Sequence, residues 1–267
     1  MGEDEAFILI ASLSFGGIGG AVWWWRLLAV ASMHDHPWMR RLLALSLPAV
    51  TALIWLGLRT WAASDVRDAP EYLLQYTAMG AAVLVSVQWI LAPLLSLSGR
   101  LDVAERENAA VLWALLGAQV GFGLAWLGAN FGEGPGWWCV ALTGALSCGS
   151  LAALWALLLG FGGLAERLTI ERDAAAGLRL GGWLVGMGLV AGRGASGDWH
   201  GGKAALRDFL WVAGPTLALS VVGFLVLERA LRPAPDQPAG DPWLAGVVPA
   251  VVWVVVGLTH VGWAGPW

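Results

Sequence analysis

Three ionisable side chains within or beside long apolar segments are the first candidates for chemistry in this sequence. Arg179 lies inside such a segment, and Arg193 and Asp198 lie at its end, in Gly-Arg-Gly-Ala-Ser-Gly-Asp-Trp-His. Ionisable groups are costly in lipid and are often functional there. Arg193 and Asp198 predict either a re-entrant segment that faces a substrate or ion, or a solvated helix end. For Arg179 we favour a structural interpretation, in which its long stem extends the guanidinium to the headgroups.

Two further polar residues, Asn108 and Asp173, stand immediately before Ala-rich apolar segments. A short polar side chain at this position can accept a hydrogen bond from a free backbone N–H of the first helical turn. We therefore interpret Asn108 and Asp173 as N-caps. The alternative is ion coordination by their side-chain oxygens.

The four histidines do not form a metal-site pattern. His34 and His36 are close in sequence but lie in a Pro-flanked segment without cysteine, and His200 stands apart from them. His260, near the end of the last apolar segment, could ligate a pigment or haem axially. A hydrogen bond from His260 to a neighbouring helix is the interpretation that we favour, so we expect no metal and no cofactor other than lipid.

The composition excludes several classes of protein. Hydrophobic residues make up 58% of the 267 residues and charged residues only 13%, about half the share of a soluble domain. The net charge of −4 speaks against nucleic-acid binding. The sequence contains no P-loop, HExxH or GxSxG motif and no acid–base set, so we predict no enzyme and no catalytic residue.

The apolar segments predict an all-α polytopic membrane bundle of about eight helices, because about 20 apolar residues are needed to cross the hydrocarbon core. The eight predicted spans are Phe7–Leu28, Leu42–Trp61, Leu73–Leu95, Ala109–Ala129, Trp138–Leu159, Ala174–Gly192, Phe209–Leu227 and Trp243–Trp263.

The distribution of Lys and Arg predicts the orientation of the chain. The loops after predicted helices one, three, five and seven contain more of them than the other loops, and such loops face the cytoplasm. Both termini are then outside. A multi-pass protein of a bacterial inner membrane is the localisation that we predict.

Two segments of the chain resemble each other at a constant offset of 65 residues. Asn108 falls on Asp173, Gly117 on Gly182 and Gly121 on Gly186. Each unit comprises two helices, so the repeat covers predicted helices four and five and then six and seven. We divide the single membrane domain into 1–104 with three spans, repeat one at 105–168, repeat two at 169–232 and a last span at 233–267, and we find no third copy.

The repeated glycines predict where helices meet. Lipid supplies no hydrophobic drive for helix association, so bare Gly faces that allow close backbone approach take its place. Helices four and six are expected to cross closely through these faces. The predicted packing residues are Gly117, Gly121, Gly123, Gly182, Gly186 and Gly188.

The repeated unit, an Asn or Asp followed by Ala-Ala and a helix with spaced Gly, resembles the YjfL-like bacterial inner-membrane family, or "domain of unknown function 350". The resemblance covers about residues 73–231 and carries over onto Asn108, Ala109, Gly117 and Gly121, and onto Asp173, Ala174, Gly182 and Gly186. This chain departs from the family in having Asp173 where Asn is usual, and in its extra spans. The resemblance implies no particular activity.

Three functional hypotheses follow. The first is a structural subunit or scaffold of a membrane assembly, with the lipid bilayer and other membrane subunits or further copies as partners. The second is a small ion channel or transporter lined by the Gly-rich helices four and six. The third, a membrane enzyme, lacks the required residues.

Overall fold

The computed structural model describes residues 2–29, 37–134, 136–161, 163–199, 201–232 and 241–265. Over these ranges the chain is largely helical and contains no β-strand. Seven helices are long and apolar enough to cross a membrane, and a bent helix pair supplies an eighth crossing when it is counted as one span. The predicted all-α polytopic bundle is therefore confirmed.

We number the spans α1 to α8 and divide the seventh into α7a and α7b. The spans are α1 (Glu3–Leu28), α2 (Trp38–Trp61), α3 (Pro70–Leu94), α4 (Ala109–Gly128), α5 (Trp137–Gly160), α6 (Ala174–Ala195), α7a (Gly202–Val212), α7b (Gly214–Ala230) and α8 (Trp243–Trp263).

The seventh span was predicted at Phe209–Leu227, but it begins earlier, at Gly202, and ends at Ala230. It bends by 43° between α7a and α7b. Pro215 stands in the first turn of α7b, where its missing N–H costs nothing. The same ring would clash with the carbonyl one turn earlier if the helix continued straight, so the chain bends at this point.

The even-numbered helices lie side by side in one row. α4 and α6 make the most extensive contact in the bundle, α8 packs on the other side of α6, and α2 packs on the other side of α4. The odd-numbered helices return alongside them, with α3 against α2 and α4, and α5 against α4 and α6. As a result α4 and α6 form the buried centre.

The row has two ends, which we name by one residue each. At the Glu228 end, α4 and α6 begin and α7b finishes. At the Asp198 end, α4 and α6 finish, and the segments that follow them lie next to each other.

Candidate functional site: a buried ion-pair network

Four charged side chains lie buried together at the Glu228 end, and we call them the ion-pair network. Arg167 belongs to a short helix, Leu164–Thr169, and Asp173 immediately precedes α6. Arg179 lies in the second turn of α6 and Glu228 in the last turn of α7b. The exposed fraction is 2% for Arg167, 7% for Asp173, 0% for Arg179 and 8% for Glu228.

Glu228 is central to the network because both arginines donate to its carboxylate. Its Oε2 atom accepts from Arg167 Nη1 at 2.6 Å and from Arg179 Nη2 at 3.1 Å, and its Oε1 atom accepts from Arg179 Nε. Arg167 Nη2 also donates to Asp173 Oδ2, which lies 3.9 Å from Arg179 Nη2. Two positive and two negative side chains thus balance in the interior of the bundle.

The network connects three spans. Arg179 Nη1 donates to the carbonyl oxygen of Ala245, in the first turns of α8. Because Arg179 also binds Glu228, its guanidinium holds α6, α7b and α8 together. A planar guanidinium suits this role, since its donors fan out in fixed directions.

Glu228 would be poorly placed without these partners. A negative charge in the last turn of a helix is repelled by the partial negative charge of the free carbonyl groups there. Burial away from water adds a desolvation cost. The two guanidinium groups offset both effects, so the four side chains depend on one another.

The structure corrects the interpretation of Arg179. We expected its side chain to reach the headgroups, but it is completely buried and paired with Glu228. Arg167 and Glu228 were not among the predicted site residues. A signal for them was present, since a Glu-Arg pair recurs, as Glu166-Arg167 shortly after α5 and as Glu228-Arg229 in the last turn of α7b, yet sequence alone does not pair residues 61 positions apart.

Asn108 and Asp173 both act as N-caps, as predicted. Asn108 Oδ1 accepts from the backbone N–H groups of Ala110 and Val111, and Asp173 Oδ1 accepts from that of Ala176 at 3.1 Å. Asn108 Nδ2 further donates to the carbonyl oxygen of Leu168 at 2.8 Å. The side chain of Asn108 therefore joins the start of α4 to the segment before α6.

The backbone leading into α4 has the same arrangement as the backbone leading into α6, 65 residues later. The Asn108 N–H donates to Asp102 O at 2.8 Å, and the Asp173 N–H donates to Arg167 O at 3.0 Å. Glu107 and Arg172, one residue earlier in each case, both have positive φ, at 53° and 54°. The charges are not repeated, since Asp102 stands in place of Arg167 and Ala114 in place of Arg179.

Arg193 and Asp198, the other predicted polar pair, bind different partners at the Asp198 end. Arg193 donates to Ser196 Oγ at 2.9 Å and to the carbonyl oxygen of Ala264 at 2.7 Å. Asp198 Oδ1 accepts from the Glu133 N–H at 2.7 Å. The contacts of Asp198 are those of a residue that holds two loops together.

Backbone hydrogen bonds join the same two loops. The Gly197 N–H donates to Phe131 O at 2.7 Å, and the Trp199 N–H donates to Glu133 O at 3.0 Å. Asp198 is exposed, so its carboxylate faces solvent on one side and Glu133 on the other. This geometry corresponds to the solvated helix end among the two interpretations of the segment.

Asp198→Ala is expected to lower the free energy of unfolding by about 1 kcal/mol, because one exposed hydrogen bond is lost. Asp198→Asn keeps an acceptor oxygen and is expected to cost less. Thermal unfolding in detergent measures both. A changed ion flux with unchanged stability in Asp198→Asn would instead favour the ion-facing interpretation.

The six predicted packing glycines are divided among three helix contacts. Gly117 and Gly121 face α6, and Gly188 on α6 faces the backbone of Gly121. Gly123, however, faces Val50 on α2. Gly182 and Gly186 face α8, so the expectation that their pair lies at the crossing of α4 and α6 is wrong.

The contact of α8 with α6 reproduces the contact of α6 with α4. In every case an added Cβ would lie within about 3.0 Å of the partner helix. The pairs at the first contact are Ala110–Gly177, Gly117–Gly181, Gly121–Leu184 and Gly121–Gly188, and their counterparts are Ala175–Gly246, Gly182–Ala250, Gly186–Trp253 and Gly186–Gly257. α8 therefore packs as a third member, which the sequence comparison missed because the offset from α6 to α8 is 69 residues.

His260 is buried between α8 and α7b. Its Nδ1 atom lies 3.1 Å from Thr216 Oγ1, within hydrogen-bonding distance. This agrees with the interpretation of His260 as a helix-to-helix hydrogen bond. His34, His36 and His200 lie outside the described residues, and the described ranges contain no group of three metal-ligating side chains.

Comparison with known proteins gives no match. No family model, no curated protein and no solved structure is significantly similar to this chain. The YjfL-like resemblance thus stays a prediction that is based on the repeated residues alone.

Proposed function

We propose that this protein is a non-catalytic structural component of a membrane assembly. The observation that carries the proposal is the continuous backbone-to-backbone packing of α4, α6 and α8. Such packing suits a rigid element on which other membrane subunits assemble. Under this proposal the partners are the lipid bilayer and neighbouring subunits, or further copies of the chain.

The same packing argues against a channel lined by α4 and α6. A side chain as small as alanine at Gly117 or Gly121 would overlap with the backbone of α6, so no water path fits between these helices. α2, α3, α5 and α8 cover their remaining faces. For the same reason, neither α4 nor α6 can line a pore between copies of the chain unless the bundle rearranges.

The placement in the cell is part of the proposal. We place the chain in a bacterial inner membrane, and the Lys and Arg distribution favours an orientation with both termini outside, so that the Glu228 end faces the cytoplasm. The YjfL-like resemblance is compatible with this placement.

Purification in nanodiscs, followed by native mass measurement and an absorbance spectrum, tests the structural role. We expect a fixed stoichiometry with foreign membrane subunits, or a stable homo-oligomer, and no ion flux after reconstitution. A monomer that conducts ions would overturn the proposal. Visible absorbance would identify His260 as a candidate ligand for a pigment or haem.

A transporter is the second candidate, and the ion-pair network favours it. Buried ionisable groups are costly in a membrane and often mark ion or proton pathways. Asp173→Asn is the matched test, because Asn108 already serves as the N-cap at the equivalent position. If the network carries ions, wild-type flux is measurable in vesicles and falls strongly in Asp173→Asn while the protein stays folded. Equal flux in both would exclude Asp173 from a pathway.

A further inference from the structure

Helix α7a lies across the Asp198 end of the bundle, where α5 begins and α6 finishes. A Cβ on Gly202, its first residue, would lie 3.2 Å from Leu142 Cδ2, in the second turn of α5. A Cβ on Gly194, in the last turn of α6, would lie 2.5 Å from the Cβ of Ala213, which follows α7a. If α7a ran along α6, its 11 residues would carry Gly202 about 16 Å beyond that turn and away from Leu142. Both ends of α7a therefore lie at the end of the bundle.

The bend between α7a and α7b also lies within reach of water. Pro215 has no N–H, so the carbonyl oxygen of Trp211 lacks the hydrogen bond that residue 215 of a regular helix would donate. A backbone carbonyl without a donor is costly in hydrocarbon. We therefore place the bend at the membrane interface. The crossing is then made by α7b, whose 17 residues are at the lower limit of the length required.

The outer side of α7a carries large apolar side chains. Ala205 and Phe209 are buried against the bundle. Leu206, Leu210 and Trp211 are exposed, Trp211 by 83%. The two leucines would be unfavourably placed in water, whereas an exposed Trp ring suits the headgroup region of a membrane. The outer side of α7a therefore lies against lipid.

Two basic side chains lie on the same outer side of α7a. Lys203 and Arg207 are both exposed and are one helical turn apart. With about 3.6 residues per turn, they lie between Leu210 and Trp211 around the helix. Arg207 pairs with Asp208 at 3.1 Å, but this pair is exposed and therefore weak. The three charged side chains leave α7a with one net positive charge.

We propose that α7a binds the headgroup of an anionic phospholipid, with Lys203 and Arg207 holding its phosphate. Side chains one turn apart have Cβ atoms about 5–6 Å from each other, so an ammonium and a guanidinium reach the same phosphate. Leu206 and Leu210 then contact the acyl chains, and Trp211 lies at the level of the headgroups. A soluble phosphate would leave these apolar side chains in water, which favours the lipid.

This inference rests on the membrane placement in the proposed function and identifies the class of lipid. It does not depend on the assembly role, because the binding site lies within one chain. A basic helix with exposed Leu and Trp is typical of elements that lie in the membrane interface and bind anionic lipids.

Titration of the detergent-purified protein with phosphatidylglycerol, followed by native mass measurement, tests the proposal. The test variant is Lys203→Gln with Arg207→Gln. The matched control is Arg67→Gln, because Arg67 is also exposed at the Asp198 end and pairs with the residue that follows it, Asp68, at 3.4 Å. Phosphatidylcholine, which has the phosphate but no net charge, is the control lipid.

We expect phosphatidylglycerol to bind the wild type and Arg67→Gln equally, and to bind the test variant at least about tenfold more weakly. Equal binding to the test variant, or phosphatidylcholine binding as tight as that of phosphatidylglycerol, would overturn the proposal. Displacement of the lipid by an equal concentration of glycerol phosphate would also overturn it, in favour of a soluble phosphate. Loss of a homo-oligomer in the test variant with unchanged lipid binding would instead assign α7a to a contact between copies.

The only lysine of the chain, Lys203, allows a second measurement in nanodiscs. Phosphatidylglycerol is expected to slow the modification of Lys203 by a water-soluble amine reagent, relative to nanodiscs of phosphatidylcholine. The terminal amine of the protein is the internal reference for the effect of surface charge on the reagent. Equal slowing of both amines would contradict a specific contact at Lys203. Neither measurement requires a partner subunit, so their failure would leave the proposed structural role to its own test.

Discussion

Replacing Glu228 with alanine is expected to destabilise the protein by about 3–5 kcal/mol, the usual cost of removing one partner from a buried ion pair. Both guanidinium groups of the network lose their shared acceptor, because Arg167 and Arg179 each donate to this carboxylate. The expected readout is a large fall in the midpoint of thermal unfolding in detergent, together with a lower yield of monodisperse protein.

Asp68→Asn is the matched control for Glu228→Ala. The Asp68 carboxylate pairs with Arg67 at the surface, where loss of the pair is expected to cost less than about 1 kcal/mol. The double variant Arg179→Met with Glu228→Leu is expected to recover much of the lost stability, since it removes one positive and one negative buried charge and leaves Arg167 paired with Asp173. A Glu228→Ala protein as stable as the control would contradict the mutual dependence of the four side chains.

Replacing Gly186 with leucine is expected to separate α8 from α6 and to cost about 3 kcal/mol or more, because overpacking at a backbone contact cannot be relieved by a side-chain rotation. The atoms next to Gly186 are the backbone atoms of Trp253 and Val254. Gly121→Leu is expected to act in the same way on α4 and α6, because its neighbours are backbone atoms of Leu184 and Val185. Size-exclusion chromatography in detergent and thermal unfolding measure both effects.

Gly149→Leu is the control for these glycine variants, since nothing lies within 4 Å of a Cβ at this position. It is expected to express and elute like the wild type. If Gly186→Leu and Gly121→Leu both kept wild-type yield, elution volume and unfolding temperature, the packing of the central row would be wrong.

The apolar segments were sufficient to predict the type of the spans and the approximate ends of most of them, but the seventh, predicted at Phe209–Leu227, extends over Gly202–Val212 and Gly214–Ala230. Segment α8, for example, has the predicted bounds Trp243–Trp263. Lipid leaves the backbone no alternative to internal hydrogen bonding, so a long apolar segment specifies a helix without help from its neighbours. The caps Asn108 and Asp173 were predictable for a related reason, since a cap involves only the next turn of its own helix.

The tertiary structure decides which helix covers each glycine-rich helix face. Gly121 and Gly186 hold equivalent places in the sequence repeat, but one meets α6 and the other meets α8. A spacing of four residues places glycines on one face of a helix and leaves open which helix covers that face. The third member of the row, α8, also became visible only through its contacts.

The same distinction explains the ion-pair network. The sequence by itself determined that Arg179 lies inside a span, and that its charge must therefore be compensated or brought to the membrane surface. Only the fold brings the Glu228 carboxylate, 49 residues away, to this guanidinium. Compensation of the Arg179 charge requires an opposite charge within a few ångströms. Helix packing sets that distance, so the crossing of α6, α7b and α8 decides whether the charge is compensated or brought to the membrane surface.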